Sequence, residues 1–421
     1  MLVVSGEEVE EQESAVSTRV AGRISLFIDF WKLITSDKFI LEVIEGLHIP
    51  FENFPSQNIA PKQINCSLNE KHAIDLELNK YVEKGIIEEV DHEPGEFLSQ
   101  IFHRDKRSGG IRIILNLSLL NKDVEYCPFK MDTLNNAILL MEKGCYMTSL
   151  DSEDAYYFVN VNPKFRKFLR FEWGSKLYEF TCMPNGLACA PRIFTRILKP
   201  IFENLRKNGH ISIYYLDDSW LMGSTYEKCL DNTVKTAEIL TKAGFILNKA
   251  KSCSVPSQKI IFLGFELDSV KMLVSLPLEK RNNLHSLCSE ILDNKKFSIR
   301  FLAKFIGILV SSLPAVEYGA LYYRFLECRK IDALKQNKGN FNALTCLNEN
   351  CIGEVIWWQN NIFTTKRNIL IAPPNKEIVT DASLIGWGAV LEGISTGGHW
   401  NENEKCLHIN VLELKAILFG L

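Results

Sequence analysis

The sequence predicts an α+β fold, because strand-like and helix-like segments occupy separate stretches of the chain. The strand-like runs, which are rich in β-branched and aromatic residues, cover 97–103, 111–117, 146–150 and 211–216. Helical periodicity follows in 227–243 and 281–326, with a break expected at Pro314. The β pattern returns in 377–380 and 387–391, before a last helical pattern in 411–421.

The chain length and its turn signals predict several domains. The 421 residues are enough for two to four domains of about 100–200 residues each. Ser67 and Glu70 form a capping box that starts a helix, and Gly85 suits its C-terminal end. Pro373-Pro374 marks a linker. We therefore expect an N-terminal extension in 1–60, a first domain in 61–270, a helical region in 271–372 and a further α/β piece in 373–421.

The net charge of −3 conceals an acidic and a basic part of the chain. Residues 1–100 hold 8 Lys and Arg against 19 Asp and Glu, a net of −11, so the remainder carries +8. The stretch 160–210 alone has ten basic and three acidic residues. Because surfaces that bind nucleic acid are usually basic, we expect 160–210 to meet phosphates with salt-sensitive affinity. The acidic first hundred residues are expected to lie away from the path of the nucleic-acid duplex.

The composition and the start of the chain predict an intracellular protein of the cytoplasm or nucleus, not a secreted one. Hydrophobic residues make up 46% and charged residues 24%, which excludes collagenous and disordered classes. The N-terminus turns acidic at Glu7 and shows no signal peptide. The apolar stretch 301–313 contains Lys304 and is too short to span a membrane. The 12 cysteines form no C-x-x-C pair, so we expect reduced thiols and no zinc site.

Three aspartates stand where short apolar strands end. Asp151 follows the run 146–150, and Asp217-Asp218 lie between two apolar runs at the tip of an expected hairpin. Adjacent carboxylates repel each other and lose hydration when buried, so a purely structural role rarely selects them. Brought together, the three form a hard, all-oxygen ligand set suited to Mg²⁺. The alternative is that Asp217-Asp218 is only a polar hairpin turn, where Asp is common.

Such a ligand set predicts phosphoryl chemistry. It can hold two metal ions about 3.5–4 Å apart, one activating an attacking hydroxyl and the other stabilising a leaving oxygen, as in nucleotidyl transfer. An expected basic hairpin can clamp a triphosphate with Arg104, Lys106, Arg107 and Arg112. The turn 184–186 precedes small residues and a helix with Pro191 near its start. Small side chains there let a base or a template strand approach closely.

Six blocks follow one another along the chain in a specific order. They are the basic hairpin with Leu119-Leu120-Asn121, Leu150-Asp151 with Asp154-Ala155-Tyr156, Pro184-Asn185-Gly186, Tyr215-Leu216-Asp217-Asp218, 244–248 with Lys251, and Phe262-Leu263-Gly264-Phe265. In this order and spacing they resemble the fingers and palm of a reverse transcriptase, over roughly 95–270. The resemblance implies a right-hand polymerase fold with fingers, thumb and a ferredoxin-like palm.

The resemblance implies catalytic roles for three aspartates and a nucleotide-selecting role for Tyr156. Asp151, Asp217 and Asp218 match the catalytic, metal-binding carboxylates. Tyr156 matches an aromatic steric gate, whose ring would clash with a 2′-hydroxyl and so select deoxynucleotides. The alternative for Tyr156 is core packing beside Tyr157.

Further positions match contacts to the nucleotide. Asn185 and Gly186 match the loop that touches the nascent base pair, although many relatives have Gln in place of Asn. Arg112 matches an arginine that stacks on the triphosphate. Either Arg104 or Lys106 supplies a second phosphate contact, since spacing alone does not choose between them. The backbone of 152–154, which includes Asp154, would receive the same triphosphate.

Two last blocks match groups around the primer end and the leaving group. Lys251 matches a lysine near the leaving pyrophosphate that can act as a general acid. The alternative is a solvated surface lysine. Phe262, Leu263 and Gly264 match the turn that grips the primer end.

The final part of the chain carries a second pair of acids. Asp381 ends a short strand, and Glu413 lies 32 residues later in a helix for which Asn410 is the expected N-cap. This part resembles the first strands and first helix of ribonuclease H, which also binds two metal ions on carboxylates. The resemblance implies that Asp381 and Glu413 are metal ligands of an incomplete site, because that family's later aspartates are absent. We expect no RNA cleavage by this chain alone.

The combination of the two resemblances is that of retroelements. The stretches 21–31, 49–51 and 301–326, with Trp357-Trp358, look most like tyrosine-recombinase (DIRS-type) retrotransposons. We expect the two tryptophans to pack a domain junction, with base stacking as the alternative.

We therefore expect an RNA-directed DNA polymerase of a retrotransposon, which adds deoxynucleotides to a primer 3′-hydroxyl. The expected cofactor is Mg²⁺, as two ions, with Mn²⁺ as a substitute. The expected partners are an RNA template, a DNA primer and product, and deoxynucleoside triphosphates, with no membrane; the oligomeric state stays open. The alternative function is that of a catalytically inactive or host-adopted remnant that binds nucleic acid.

Overall fold

The computed structural model describes residues 20–59, 61, 66–105, 109–152, 154–370 and 375–421. The chain divides into two compact units, Met1–Arg367 and Asn368–Leu421. Each unit combines helices with β-sheet, which confirms the expected α+β class. Within the described ranges, no helix is both long enough and apolar enough to cross a membrane.

The helices of the first unit run from the N-terminal segment to its end. They are α1 (Ile28–Ile34), α2 (Lys38–Gly46), α3 (Leu68–Glu83), α4 (Leu134–Leu140), α5 (Pro163–Arg166), α6 (Ala190–Lys207), α7 (Tyr226–Lys242), α8 (Leu278–Asp293), α9 (Ile299–Ser312), α10 (Arg324–Gln336) and α11 (Glu349–Asn361). Short 3-10 turns lie at Arg23–Phe27, Leu120–Lys122, Ala155–Phe158, Leu313–Ala315 and Gly319–Leu321. The expected capping box of Ser67 and Glu70 starts α3.

The strands of this unit are short and mostly antiparallel. They are β1 (Ile87–Val90), β2 (Gln100–Asp105), β3 (Ile111–Asn116), β4 (Tyr146–Asp151), β5 (Arg170–Trp173), β6 (Lys176–Phe180), β7 (Ile211–Tyr215), β8 (Asp218–Gly223), β9 (Cys253–Ser257), β10 (Lys259–Phe262), β11 (Phe265–Asp268), β12 (Leu273–Ser275), β13 (Phe297–Ser298), β14 (Leu344–Thr345) and β15 (Arg367–Asn368). β1, β6 and β5 form one sheet, β2 and β3 form the basic hairpin, and β7-β8-β4-β9 form a four-stranded sheet.

Helices α6 and α7 hold the β7–β8 hairpin against the core. The rings of Phe202 on α6 and Tyr214 on β7 stack with centroids 4.6 Å apart. On α7, the buried Asn232 amide donates to the carbonyls of Ile211 and Met222, at 2.8 and 3.0 Å. Backbone groups at the base of the hairpin are thereby satisfied, as burial requires. The tip of the hairpin, where the aspartates lie, therefore stands on a well-packed base.

The N-terminal segment 20–59 packs into the core of the first unit. Trp31 is fully buried, and its indole N–H donates to the Ala243 carbonyl at 3.0 Å. Gly22 N–H donates to the carbonyl of Tyr157 at 2.8 Å. Tyr157 directly follows Tyr156, the predicted steric gate. This segment therefore supports the backbone behind the expected nucleotide pocket.

Part of the acidic first hundred residues lies against the basic stretch 160–210. Arg166 pairs with Glu88 at 3.0 Å, and Lys176 pairs with Glu89 at 2.7 Å. Folding brings these charges together because β1, which carries both glutamates, pairs with β6 of the basic stretch. Part of the basic field is therefore neutralised within the protein.

A buried group of opposite charges lies in the same region. The Arg170 cluster consists of Arg170, Glu93, Glu96 and Glu179. Arg170 is 5% exposed, and its guanidinium lies 2.8 Å from a carboxylate oxygen of Glu96 and of Glu179. It lies 3.7 Å from Glu93. Arg170 therefore pairs with carboxylates of the protein itself and is not exposed to solvent.

The helical stretch 281–326 is divided twice. Pro314 lies in the 3-10 turn after α9, so the expected break is confirmed. A second break separates α8 from α9, where β13 pairs with β14. Helical periodicity does not reveal this break, because it depends on a strand partner almost fifty residues away in the sequence.

Trp357 and Trp358 of α11 both take part in packing within the first unit. Trp358 is fully buried, and its indole N–H donates to the Tyr322 carbonyl at 2.7 Å. The Trp357 ring stacks on the Tyr322 ring, with centroids 4.0 Å apart. The two rings join α11 to the turn before α10.

The second unit is a small antiparallel sheet with one longer helix. Its elements are β16 (Ile378–Ala382), β17 (Gly386–Leu391), β18 (Ile394–His399), α12 (Glu402–Lys405) and α13 (Ile409–Gly420). The strands lie in the order β16-β17-β18, and α13 packs on β16 and β17. The expected N-cap at Asn410 is wrong: His408 caps the helix, and its Nδ1 accepts a hydrogen bond from Asn410 N–H at 3.2 Å.

Candidate active site

The pairing of β4 with β8 brings the predicted aspartates together. Asp151 and Asp218 are direct partners across these two strands. Asp217 lies beside them in the two-residue turn of the β7–β8 hairpin, where Leu216 adopts a left-handed conformation with φ of 55°. Ser152 N–H donates to the Asp217 carbonyl at 2.9 Å, which joins the turn to the end of β4. We call Asp151, Asp217 and Asp218 the aspartate cluster.

The like charges of this cluster act on one another. Burial, followed by the charges of Asp217 and Asp151, raises the pKa of Asp218 to about 6, and the Lys251 ammonium opposes that rise. Asp151 is 9% exposed, whereas Asp217 is exposed. Carboxylates shift in this way when they lose hydration next to other negative charges. The cluster is therefore a place where a cation is electrostatically favoured.

Lys251 faces the aspartate cluster. Its Nζ lies 3.7 Å from Oδ1 of Asp151, although its side chain is 65% exposed. The Asn248 side chain accepts hydrogen bonds from the backbone N–H groups of Ala250 and Lys251, and Asn248 N–H donates to the Asp151 carbonyl at 2.8 Å. Both interpretations of Lys251 stay open, but its backbone is anchored to the cluster.

The donor chemistry of the cluster suits Mg²⁺, because three carboxylates supply the hard oxygen ligands that this ion prefers. Their mutual repulsion, seen in the raised pKa of Asp218, is what a bound cation relieves. Across the described ranges, however, no group of three or more His, Cys, Asp or Glu side chains is arranged so that it could hold a metal ion.

Tyr156 lies beside the cluster and not only in the core. Its ring packs edge-on against Phe194, with centroids 5.5 Å apart. Burial, together with the neighbouring Asp217 and Tyr215, raises the pKa of its hydroxyl. Asp154 begins the same 3-10 turn with φ of 51°, and its carboxylate lies 2.8 Å from Lys84 Nζ. Ser152 and Asp154 are described, but Glu153 between them lies outside the described residues.

The basic hairpin is present as expected, and its arginines are neighbours. Arg104 on β2 and Arg112 on β3 are direct cross-strand partners, and both are exposed. The positive charge of Arg112 acts on the hydroxyl of Tyr81. Lys106 lies outside the described residues, so the choice between Arg104 and Lys106 stays open.

The loop after β6 is held by a residue to which sequence reasoning gave no role. We call 185–188 the pocket loop. The Asn121 amide donates to the Gly186 carbonyl and accepts from Ala188 N–H, both at 2.9 Å. Gly186 has φ of 101°, and a Cβ there would lie 3.2 Å from the Leu115 carbonyl oxygen. Asn121 stood in the first sequence block, but its contact is 65 residues away and was not visible there.

The remaining predicted residues lie on two other elements. Phe262 and Phe265 are buried cross-strand partners, and Leu263 and Gly264 form the turn between them with φ of 46° and 76°. Such a turn presents its backbone at the end of a hairpin.

In the second unit, Asp381 lies on β16 and is exposed, and Glu413 lies on α13. Because α13 packs on β16, the two acids are on adjoining elements.

Residues 105–267 match the family model described as "Reverse transcriptase (RNA-dependent DNA polymerase)". The enzymatic polyprotein of Figwort mosaic virus is 22% identical over 377 residues, which cover 86% of this chain and 53% of the polyprotein. The Transposon Tf2-3 polyprotein of Schizosaccharomyces pombe is 23% identical over 226 residues, covering 53% of this chain and 16% of that polyprotein. The chain thus spans about half of the viral relative and less of the transposon relative.

Solved structures with the same fold include two of a foamy viral protease-reverse transcriptase. The complex with an RNA/DNA hybrid has a TM-score of 0.62 at 16% identity, covering 89% of this chain and 49% of that chain. The complex with dsDNA has a TM-score of 0.61 at 17% identity, covering 93% and 86%. Residues 105–267, which hold the aspartate cluster, therefore match a reverse transcriptase family model, and the similar curated proteins are retroelement and viral polyproteins.

Proposed function

We propose that this chain acts as the RNA-directed DNA polymerase of a retrotransposon and adds deoxynucleotides to a primer 3′-hydroxyl on an RNA template. The observation that carries this proposal is the register of β4 and β8, which sets Asp151 opposite Asp218 with Asp217 in the adjoining turn. The similar foamy viral proteins are described in complex with an RNA/DNA hybrid and with dsDNA, which supports a duplex as partner.

Asp151, Asp217 and Asp218 would hold two Mg²⁺ ions, or Mn²⁺ in their place. When bound, such ions lower the pKa of the attacking hydroxyl and stabilise charge on the leaving pyrophosphate. With a pKa of about 6, Asp218 has lost its proton at neutral pH and is ready to act as a ligand. Lys251, 3.7 Å from Asp151, carries a proton that the leaving pyrophosphate can take.

Other residues of the chain bind and select the nucleotide. Arg112 on the basic hairpin, together with either its exposed neighbour Arg104 or Lys106, would supply the cationic groups for the triphosphate. The Tyr156 ring, beside Asp217, would exclude a 2′-hydroxyl and so favour deoxynucleotides. The turn at Leu263 and Gly264 would position the primer end.

The finer placement is also a proposal. The sequence stretches quoted above support a DIRS-type element. In the second unit, the adjoining positions of β16 and α13 support the ribonuclease H resemblance of Asp381 and Glu413. We propose no RNA cleavage by these two acids alone, because two carboxylates do not complete a two-metal site.

A primer-extension assay on an RNA template tests the polymerase proposal. Asp217→Asn is expected to lower template-dependent incorporation at least about a hundredfold, because it removes a metal-binding charge. Asp231→Asn, an exposed aspartate on α7, is the matched control and should stay within about twofold. Equal incorporation by wild type and Asp217→Asn would remove that carboxylate from the mechanism. Template binding without incorporation by the wild type would favour the inactive remnant.

A further inference from the structure

The side chain of Asn185 in the pocket loop is anchored to the buried core. Its amide N–H donates to the Tyr157 hydroxyl at 3.3 Å. The Tyr157 hydroxyl donates in turn to the Tyr81 hydroxyl at 3.2 Å. Side chains from α3, from the 3-10 turn after β4 and from the pocket loop thus form one chain of hydrogen bonds. This series of hydrogen bonds ends at the pocket loop, which is expected to touch the nascent base pair.

Tyr157 is held rigidly. It is 3% exposed, its ring stacks on Phe180 and meets Tyr81 edge-on, with centroids 6.4 and 5.7 Å away. Its backbone carbonyl accepts from Gly22 N–H at 2.8 Å, and its own N–H donates to the Asp154 carbonyl at 2.9 Å. A hydroxyl on a ring held at both its face and its backbone cannot follow a moving partner. It therefore sets the place of the group that it binds.

Both tyrosines are protonated, and the Tyr157 hydroxyl is the donor to Tyr81. Burial raises the pKa of Tyr157 well above its usual value and that of Tyr81 to about 12, so both keep their protons at neutral pH. A hydroxyl has one proton to donate. Because Tyr157 gives its proton to Tyr81, its oxygen accepts from the Asn185 amide. The NH₂ end of the amide consequently faces Tyr157, and an amide turned over would place oxygen against oxygen.

The other polar atoms of Asn185 are left for a ligand. The side chain is half-buried, and to the residues that the structure describes its only hydrogen bond is the one to Tyr157. An Asn side chain is one methylene shorter than that of Gln, so it has less reach with which to find a partner. A short amide needs its orientation set in advance, and preorganisation of this kind lowers the cost of binding.

We propose that Tyr157 is a positioning residue, which orients the Asn185 amide so that its carbonyl oxygen and second N–H face the incoming deoxynucleotide. This inference rests on the proposed polymerase function. It assigns Tyr157 no contact with the substrate: its effect is transmitted through Asn185. The two residues should therefore behave as one unit when both are changed.

A double-mutant cycle in single-nucleotide incorporation tests the inference. The full chain is assayed as wild type, Tyr157→Phe, Asn185→Ala and the double variant, with a deoxynucleoside triphosphate titrated on an RNA template and DNA primer. Each single variant is expected to lower kcat/KM about tenfold, mainly through KM, since one buried hydrogen bond is lost. The double variant should be no worse than Asn185→Ala. A multiplied, roughly hundredfold loss, or a Tyr157→Phe value within about twofold of wild type, would overturn the inference.

Tyr81→Phe separates positioning from general stability. It breaks the same tyrosine–tyrosine hydrogen bond, so it should cost part of the thermal stability that Tyr157→Phe costs. It leaves the Asn185 partner in place, so its loss of kcat/KM should be clearly smaller. Equal losses of kcat/KM in the two variants would show a merely structural role and contradict the proposal.

Asn185→Asp provides a test that leaves the buried core intact. It turns the donor that faces Tyr157 into an acceptor and should lower kcat/KM more than Asn185→Ala does. A smaller loss of kcat/KM than in Asn185→Ala would contradict the proposed direction of the hydrogen bond from Asn185 to Tyr157. Absence of incorporation by the wild type would refute the polymerase function, and this inference with it. Normal wild-type incorporation with additive effects in the cycle would refute the inference alone.

Discussion

The aspartate cluster and the Arg170 cluster are two groups of buried or half-buried charge in the same unit, and they follow opposite rules. In the aspartate cluster the charges have one sign, and burial beside Asp217 and Asp151 raises the pKa of Asp218 to about 6. In the Arg170 cluster a guanidinium lies 2.8 Å from two carboxylates. Like charges that share a site destabilise the fold until a cation binds, whereas opposite charges satisfy each other. The closeness of the cation, not the amount of charge, separates the two sites: the Arg170 guanidinium lies 2.8 Å from two carboxylates, whereas Lys251 Nζ lies 3.7 Å from Asp151.

The largest effect on folding should come from breaking the Arg170 cluster. Arg170→Ala leaves the buried Glu179 without its cation and takes from Glu96 one of its two partners, so the free energy of unfolding should fall by about 3–5 kcal/mol. Urea denaturation measures this loss. Lys176→Ala is the matched control, because its pair with Glu89 is about half exposed and should contribute less than about 1 kcal/mol. Similar losses in both variants would contradict the difference in burial.

Removing a charge from the aspartate cluster should change the free energy of unfolding in the opposite direction. The pKa of Asp218 is raised to about 6 in the folded state, so the folded protein binds this proton more tightly than the unfolded chain. Stability from this group is therefore full below about pH 4 and lost as the pH rises through about 6.

Asp218→Asn should consequently raise the Tm at pH 7.5 in the absence of metal and leave it nearly unchanged at pH 4, while incorporation is lost. Thermal melts at both pH values, with a chelator present, measure the difference. A lower Tm than wild type at pH 7.5 would show that the carboxylate stabilises the fold and would contradict the raised pKa.

The smallest expected effect is the gain in folding stability when Mg²⁺ binds. At pH 7.5, Mg²⁺ at ten times its Kd should stabilise the wild type by about 1.4 kcal/mol, since it binds only the folded chain. Asp217→Asn should lose this response, and Lys176→Ala should keep it, because the aspartate cluster is intact there. Thermal melts with and without Mg²⁺ measure it. An equal response in Asp217→Asn would place the cation elsewhere.

Much of the local structure could be predicted because it depends on neighbours in sequence. The runs 111–117 and 146–150 appear as Ile111–Asn116 and Tyr146–Asp151, since alternation and β-branched side chains act over a few residues. The helix start at Ser67 follows from a capping box that spans four residues. The N-cap at Asn410 was misplaced by two residues, because His408 offers an acceptor that the usual N-cap preference does not include.

The contacts that could not be predicted join residues far apart in the chain. Asn121 holds the pocket loop 65 residues away, and Asn185 meets Tyr157 28 residues away. Glu88 reaches Arg166 across 78 residues. No periodicity or turn signal encodes such partners, because they arise from sheet order and helix packing.

The sequence by itself determined the chemistry of this protein. Its aspartates lie at strand ends, its arginines lie on a hairpin and its glycines lie in tight turns. Each of these positions follows from residue type and local pattern. The tertiary structure alone decided which charges are closely paired. β-sheet pairing sets Asp151 opposite Asp218 and Arg170 opposite Glu179. The same Coulomb forces therefore favour a bound cation in one place and an ion pair within the protein in the other.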